Sequence, residues 1–164
     1  DLICVSGNLG RSTAGLELLL KNKSGKSVKF HLEPKARLDF SRKIARYINA
    51  MEDVSDGLAQ EVRNICDASK AGAVIYKEKI PIEKSTFYDA KKVNKDAYDF
   101  ALYGGEDFEL VFTINKNNLK LIKRKIKDKI YVVGKILNKK KGIYLLDRNK
   151  KVKLGKGYDH FEEG

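Results

Sequence analysis

The sequence predicts an α+β domain in which helices pack against a mixed β-sheet. Two observations indicate this fold class. Short apolar runs of strand length alternate with longer segments whose apolar residues recur at helical spacing, and no segment repeats along the chain. The chain has 164 residues, of which 42% are hydrophobic, so its length and composition fit one globular domain with its own core.

The first half of the chain is predicted to alternate short extended segments with helices. The first strand is the apolar run Leu2-Ile3-Cys4-Val5, which ends in the glycine loop Ser6-Gly7-Asn8-Leu9-Gly10. This loop lacks the spacing of a P-loop or a dinucleotide fingerprint, so it is a tight connection that could also approach a phosphate. The elements expected next are helices at 11–20 and 38–49, an extended piece at 50–51, and a helix from 57 to about 70 that stops at Gly72.

The second half is predicted to alternate strands and helices again. Pro81 makes the end of one strand an edge or an exit, and a turn at 138–141 is expected to join the last two strands as a hairpin. The expected elements are strands at 73–82, 108–112, 130–137 and 142–146, and helices at 88–102 and 119–126.

Targeting signals and cysteine spacing give no indication of a secreted or membrane protein. No apolar run is long enough to span a bilayer and no secretory segment is present, so we expect a cytoplasmic protein without a membrane partner. Cys4 and Cys66 are isolated and lack metal-ligand spacing. We therefore expect both to be small buried residues rather than parts of a disulfide or a zinc site.

The net charge of +12 raises the question of nucleic-acid binding. A nucleic-acid interface would need a clustered basic face with interleaved aromatic residues, whereas the lysines here are spread over nearly every segment. The acidic residues, by contrast, gather at 52–56 and 106–109. Because neighbouring carboxylates repel each other unless a cation lies between them, this pattern favours a bound metal ion over nucleic acid.

The most informative stretch is Asp53-Val54-Ser55-Asp56-Gly57-Leu58. An extended chain entering this stretch would place Asp53 and Ser55 on one side, and Asp56 would stand at the N-cap of the following helix. Carboxylate and hydroxyl oxygens beside the positive end of a helix dipole suit Mg²⁺ together with a phosphate. The alternative is that Asp56 only caps the helix and that Asp53 is a solvated residue at a strand end.

A second candidate stretch runs from Tyr103 to Phe112, where a double-glycine turn leads into a strand. Glu106 and Asp107 would lie at the mouth of this strand, a position where sheets often build ligand sites; the alternative is a β-turn with exposed acids. His31 has no evident partner in the sequence, and we interpret it as a hydrogen-bonded structural histidine.

Five motifs of this chain occur in the order in which they occur in thiamine monophosphate kinases. They are Ser6-Gly7-Asn8-Leu9-Gly10-Arg11-Ser12-Thr13-Ala14-Gly15-Leu16, His31-Leu32-Glu33-Pro34, Asp53-Val54-Ser55-Asp56-Gly57-Leu58, Gly104-Gly105-Glu106-Asp107-Phe108-Glu109-Leu110 and Gly157-Tyr158-Asp159-His160-Phe161. Over essentially its whole length the chain therefore resembles the thiamine monophosphate kinase family, within the aminoimidazole ribonucleotide synthase-related superfamily. It departs from the family pattern at Glu52, where an apolar residue is usual, and at Arg11, where a small or acidic residue is frequent.

The resemblance implies that residues 1–164 form the C-terminal domain of such a kinase, with the mixed sheet and helices of that domain in the superfamily. It also implies a preceding N-terminal domain, absent from this chain, that supplies further metal-binding aspartates, much of the ATP pocket and the contacts of a homodimer. The site residues implied by the resemblance are Asp53 and Asp56 for Mg²⁺, Ser55 for ATP, and Glu106 and Tyr158 for thiamine monophosphate.

The implied reaction transfers the γ-phosphoryl group of ATP to thiamine monophosphate and gives thiamine diphosphate. The second pKa of a phosphate monoester is about 6, so the acceptor oxygen is ionised at neutral pH and needs no general base. Positioning and Mg²⁺ carry such a reaction, and we expect this chain alone to be inactive. Two alternatives stay open: a module that binds a nucleotide or phosphate without turnover, and a related ATP-dependent enzyme of the superfamily that uses another substrate.

Overall fold

The computed structural model describes residues 1–154, which form a seven-stranded sheet with helices on both faces. In chain order the elements are β1 (Leu2–Val5), α1 (Arg11–Leu20), α2 (Val28–Leu32), α3 (Leu38–Ile44), β2 (Ala50–Asp53), α4 (Leu58–Ala68), β3 (Ala71–Tyr76), α5 (Lys84–Lys92), α6 (Ala97–Tyr103), β4 (Leu110–Ile114), α7 (Lys116–Lys125), β5 (Tyr131–Asn138), β6 (Ile143–Asp147) and β7 (Lys150–Lys153). Short 3₁₀ turns lie at Ala45–Tyr47, Lys77–Lys79 and Lys139–Lys141. The predicted α+β class is confirmed.

The strand order in this sheet is β2-β4-β1-β5-β3-β6-β7. Among the strand pairs within residues 1–154, β3 and β6 run parallel and the others run antiparallel. Strand β1 lies in the interior of the sheet and is covered on both faces, which explains its continuous apolar run. Ile3 and Val5 face the core that includes α4 and α6, whereas Cys4 faces the core that includes α3 and α7.

A third apolar cluster holds α1 against α5 and α6 beside the sheet. Its buried members are Ala14, Leu18, Ala90, Val93, Ala97 and Phe100. The short helix α2 also packs against α1, where Gly15 permits close approach: a Cβ atom there would lie 2.5 Å from the carbonyl oxygen of Ser27. This contact fixes the position of α2 relative to α1.

Two of the predicted helices differ in the structure: one is shorter and the other is divided into two helices. The helix expected at 38–49 ends at Ile44 and continues only as a 3₁₀ turn. The single helix predicted at 88–102 is wrong, because α5 and α6 are separate helices. Asn94 adopts a left-handed conformation (φ 58°) between them, and the Asp96 side chain caps α6 by accepting a hydrogen bond from the Tyr98 N–H at 2.9 Å.

The strand predicted at 73–82 and the hairpin predicted near residue 140 are also different in the structure. Strand β3 ends at Tyr76, and a 3₁₀ turn follows it. Strands β5 and β6 do not pair with each other, because β3 lies between them and pairs with both. Gly72 allows the connection to cross β3 closely, since a Cβ atom there would lie 2.6 Å from the carbonyl oxygen of Gly142. The helix α2 and the strand β7 were not predicted.

Cys4 and Cys66 are buried, as predicted. Burial raises the pKa of the Cys4 thiol to about 12 and that of Cys66 to about 11, so both thiols stay protonated at neutral pH. Within residues 1–154 there is no helix with the length and apolar character needed to cross a membrane.

Candidate functional site

The two acidic motifs lie side by side, although they are far apart in the sequence. Strand β2 pairs antiparallel with β4, so the end of β2 at Asp53 lies opposite the start of β4 at Leu110. We call residues 54–57, which follow β2, the first loop, and residues 104–109, which precede β4, the second loop. The sheet register alone therefore brings these loops together.

Backbone hydrogen bonds extend this pairing beyond the strands. The Val54 N–H donates to the carbonyl oxygen of Glu109 at 2.7 Å, and the Phe108 N–H donates to that of Val54 at 3.1 Å. The Glu106 N–H donates to the carbonyl oxygen of Ser55 at 2.8 Å. The first and second loops are thus one hydrogen-bonded unit.

Close contact between the loops requires glycine at Gly105. A Cβ atom on Gly105 would lie 2.2 Å from the carbonyl oxygen of Ser55. Two non-glycine residues of the second loop, Glu106 (φ 61°) and Phe108 (φ 49°), adopt left-handed conformations. Such conformations cost free energy and concentrate at functional sites, where surrounding contacts hold them in place.

Three of the predicted site residues line one cavity of about 450 Å³. Ser55 and Asp56 come from the first loop and Glu106 from the second. Helices α1 and α2 contribute further polar groups, so the cavity offers carboxylate, hydroxyl and imidazole groups to one ligand. These additional residues are Ser12, Thr13 and His31.

Asp53 lines a different cavity of about 480 Å³, together with Glu52, Arg37 and other residues of α3 and β2. Phe108 lines both cavities. The prediction that Asp53 and Ser55 lie on one side is therefore wrong. The chain turns at this point, because the Ser55 N–H donates to the carbonyl oxygen of Asp53 at 3.2 Å, and strand alternation ends.

Asp56 is not the N-cap of α4, contrary to expectation. Gly57 occupies that position in a left-handed conformation (φ 98°), and no side chain caps the helix there. Glu61, from the first turn of α4, accepts the Asp56 N–H at 3.0 Å. The Asp56 carboxylate is therefore not used for capping and remains at the cavity.

Carboxylates crowd beneath the first loop. Glu61 is 3% exposed, and burial raises its pKa to about 7, with Glu52 and Asp56 adding repulsion. The Glu52 Oε2 atom is buried and receives no hydrogen bond from any residue in 1–154. An oxygen-rich, negatively charged environment of this kind fits Mg²⁺. Within residues 1–154, however, no three His, Cys, Asp or Glu side chains are grouped closely enough to hold a metal ion. These residues would thus provide only part of a coordination shell.

Glu109 in the second loop is neutralised by arginines. Its carboxylate, 3% exposed, accepts hydrogen bonds from Ser6 Oγ at 2.6 Å, Arg11 Nη2 at 2.9 Å, and Arg37 Nε and Nη2 at 2.7 and 2.8 Å. The sequence interpretation, in which a metal ion separates these acids, is therefore wrong for Glu109. Arg11, one of the two departures from the family pattern, takes part in this buried cluster. Its guanidinium carbon also lies 4.1 Å from the centre of the Phe30 ring.

Asp107 binds the N-terminus of α1. Its carboxylate accepts hydrogen bonds from the backbone N–H groups of Gly10 and Ser12, the latter at 3.0 Å. Burial raises the pKa of Asp107 to about 6, although these hydrogen bonds oppose the shift. The glycine loop is thus a connection whose helix terminus already holds a carboxylate, which leaves this end of α1 unavailable to a phosphate.

His31 lies in the cavity, a position that sequence reasoning missed. Its Nδ1 atom is 3.0 Å from Ser12 Oγ and 3.8 Å from Glu106 Oε2. The expectation of a hydrogen-bonded histidine is confirmed, but its place beside Glu106 depends on how α2 packs against α1, for which the sequence carries no periodic signal. Tyr158, the second predicted substrate contact, lies outside the described residues.

Comparison with known proteins identifies the family of this chain. Residues 1–146 match the family model described as AIR synthase related protein, C-terminal domain. A thiamine-monophosphate kinase of Buchnera aphidicola subsp. Schizaphis graminum is 40% identical over 172 residues, which cover 98% of this chain and 53% of the relative. A thiamine-monophosphate kinase of Bacillus subtilis is 32% identical, and the match covers 99% of this chain and 53% of the relative.

Solved structures share the fold. One described as AaThiL complexed with AMPPCP and TMP superposes with a TM-score of 0.81 at 33% identity, covering 98% of this chain and 51% of that chain. The hydrogenase maturation protein HypE of E. coli, 16% identical with a TM-score of 0.74, shares the fold alone. The chain spans about half the length of these relatives. On the match over residues 1–146, the chain belongs to the family described as AIR synthase related protein, C-terminal domain.

Proposed function

We propose that this chain supplies one half of the active site of a kinase that phosphorylates thiamine monophosphate with ATP, giving thiamine diphosphate. The observation that carries the proposal is the meeting of Ser55, Asp56 and Glu106 in one cavity. The similarity to a structure described as complexed with AMPPCP and TMP supports the choice of a nucleotide and a thiamine phosphate as the two ligands.

In this proposal the end of β2 and the first loop serve the nucleotide and its metal. Asp53 and Asp56 bind Mg²⁺, and Ser55 contacts ATP. When bound, Mg²⁺ neutralises the phosphate oxygens and so lowers the repulsion between the two anionic reactants. The two carboxylates line two cavities that share one lining residue, Phe108, so they would reach the metal from adjoining cavities.

Glu106 serves the acceptor. Its side chain is 63% exposed at the mouth of the cavity, where a carboxylate can accept hydrogen bonds from the aminopyrimidine or offset the thiazolium charge. Tyr158 is proposed as a second contact to the same substrate. No residue needs to act as a base, because the acceptor phosphate is already ionised at neutral pH.

We further propose that a preceding N-terminal domain completes this site. The chain covers 53% of the Buchnera relative, and the matched family model is that of a C-terminal domain. The remaining Mg²⁺ ligands, much of the ATP pocket and the contacts of a homodimer would then lie in that domain. A complete kinase of this kind is expected to work in the cytoplasm, where ATP and thiamine phosphates are available.

The test compares this chain alone with the complete kinase, in which the N-terminal domain precedes it. Thiamine diphosphate formation from ATP, thiamine monophosphate and Mg²⁺ is expected only from the complete kinase, at about 1 to 100 s⁻¹. Binding of both ligands without product would favour a non-catalytic module. Phosphorylation of another acceptor in preference to thiamine monophosphate would favour a related enzyme of the superfamily.

A further inference from the structure

We propose that His31 is a positioning residue for the acceptor substrate and that its Nε2 atom donates a hydrogen bond to the phosphate of thiamine monophosphate. The inference rests on the proposed function and gives His31 a role that neither the family match nor the resemblance assigns to it. It concerns the half of the cavity formed by α1 and α2, opposite the two acidic loops.

The hydrogen bonding of the imidazole leaves one nitrogen for a ligand. Both polar contacts of the His31 side chain within residues 1–154, to Ser12 Oγ at 3.0 Å and to Glu106 Oε2 at 3.8 Å, are made by Nδ1. The side chain is 19% exposed and lines the cavity. The Ser12 hydroxyl therefore fixes the ring, with the Glu106 carboxylate near the same nitrogen, while Nε2 has no polar partner in that part of the chain.

Charge complementarity decides which part of the substrate this nitrogen meets. Among the described residues that line this cavity, Asp56 and Glu106 are acidic and His31 is the one side chain that can carry a positive charge. The acids suit Mg²⁺ and the thiazolium ring, but they repel a phosphate. The N-terminus of α1, another possible phosphate donor, is occupied by Asp107. Among the described residues that line this cavity, His31 therefore offers the phosphate the one hydrogen-bond donor that can carry a positive charge.

The same arrangement makes Ser12 and Glu106 indirect supports. Because Nδ1 faces both of them, they hold the plane of the ring and so the direction of Nε2. Helix α2 has no buried residue, so its position depends on packing against α1 at Gly15. A substitution of His31 should consequently change the cavity with little effect on the core.

The experiment uses the complete kinase and three variants, His31→Ala, His31→Asn and His31→Gln. The amide nitrogen of Asn lies near the position of Nδ1, whereas that of Gln lies near the position of Nε2. We expect His31→Ala and His31→Asn to raise KM for thiamine monophosphate about tenfold, the effect of one lost hydrogen bond to a charged group. His31→Gln should recover KM to within about threefold, and KM for ATP should stay within about twofold in all three.

A control and a second readout keep the outcomes separate. Lys29→Gln changes an exposed residue of the same helix and should leave both KM values unchanged. Calorimetric binding of thiamine monophosphate to each variant is measured beside turnover. If wild type binds it without turnover and His31→Ala weakens binding, the kinase proposal fails and the role of His31 stands.

Two results would overturn the inference. In one, His31→Asn behaves like wild type while His31→Gln behaves like His31→Ala, which would mean that the ring serves only to hold Ser12. In the other, no variant changes the affinity for thiamine monophosphate, or wild type does not bind it.

Discussion

The buried cluster around Glu109 offers a direct test of what holds the second loop in place. Substituting Glu109→Gln keeps the size of the side chain but removes the charge that faces Arg11 and Arg37. An amide oxygen can replace at most part of the carboxylate, which now accepts a hydrogen bond from Ser6 and three from the two guanidinium groups. The amide NH₂ group would also face the guanidinium donors, so at least two bonds would be lost.

Breaking a buried ion pair costs about 3 to 5 kcal/mol. The Arg37 side chain is 38% exposed and can regain water, whereas Arg11 is 16% exposed and cannot do so fully, so we take the lower end of this range. The free energy of unfolding should fall by about 3 kcal/mol. At about 2 to 4 °C per kcal/mol for a domain of this size, Tm should fall by about 6 to 12 °C.

Urea unfolding followed by circular dichroism measures this loss. Glu33→Gln is the matched control, because Glu33 is 64% exposed and pairs with Lys29 only at 4.0 Å; it should cost no more than about 0.5 kcal/mol. Added salt should weaken the Glu33 pair and leave the Glu109 cluster nearly unchanged. If Glu109→Gln lost less than about 1 kcal/mol, the cluster would not be what fixes the second loop.

Three further predictions concern the loops and the carboxylates beneath them. Gly105→Ala should destabilise the domain by about 1 to 3 kcal/mol and remove most activity of the complete kinase, since its Cβ atom would lie 2.2 Å from the Ser55 carbonyl oxygen. An unchanged free energy of unfolding would show that the two loops can separate. Asp56→Asn should lower kcat about 100-fold or more while the free energy of unfolding changes by less than about 1 kcal/mol, because Asp56 does not cap α4; full activity at the same Mg²⁺ requirement would exclude it as a ligand. Burial raises the pKa of Glu61 from 4.5 to about 7, so Glu61 takes up a proton on folding between pH 4.5 and pH 7. The free energy of unfolding should therefore fall as pH rises from 4.5 to 7, by at most about 3 kcal/mol. Glu61→Gln, measured with a chelator present, should make the free energy of unfolding less dependent on pH in this range.

Elements with local signals could be predicted closely from the sequence. Strand β1 and helix α1 have the predicted bounds, because a short apolar run, a glycine loop and a helical periodicity follow each other directly. The first acidic motif was also placed correctly, between an extended segment and a helix. These predictions depend only on neighbouring residues.

Features that depend on distant residues could not be predicted in the same way. The sequence indicated two acidic motifs but not that strand pairing would place Ser55 and Glu106 at one cavity. Nor did it indicate that Arg11 and Arg37 would neutralise Glu109, since ion pairs across the fold leave no periodic pattern. The break near Asn94 was missed because apolar residues on both sides of it continue the helical spacing.

The position of β4 has a consequence for how the protein forms during synthesis. Within residues 1–154, β2 pairs only with β4, and the partners of β1 are β4 and β5, so both early strands emerge from the ribosome before any neighbour exists. The residues of the first loop are made early as well, but they cannot meet the second loop until β4 has inserted between β1 and β2. A nascent chain that stops before residue 110 would thus leave β1, an apolar strand, and β2 both unpaired and would have no ligand site. Binding of substrate can begin only after this late insertion, and ligands would stabilise the domain from that moment onward.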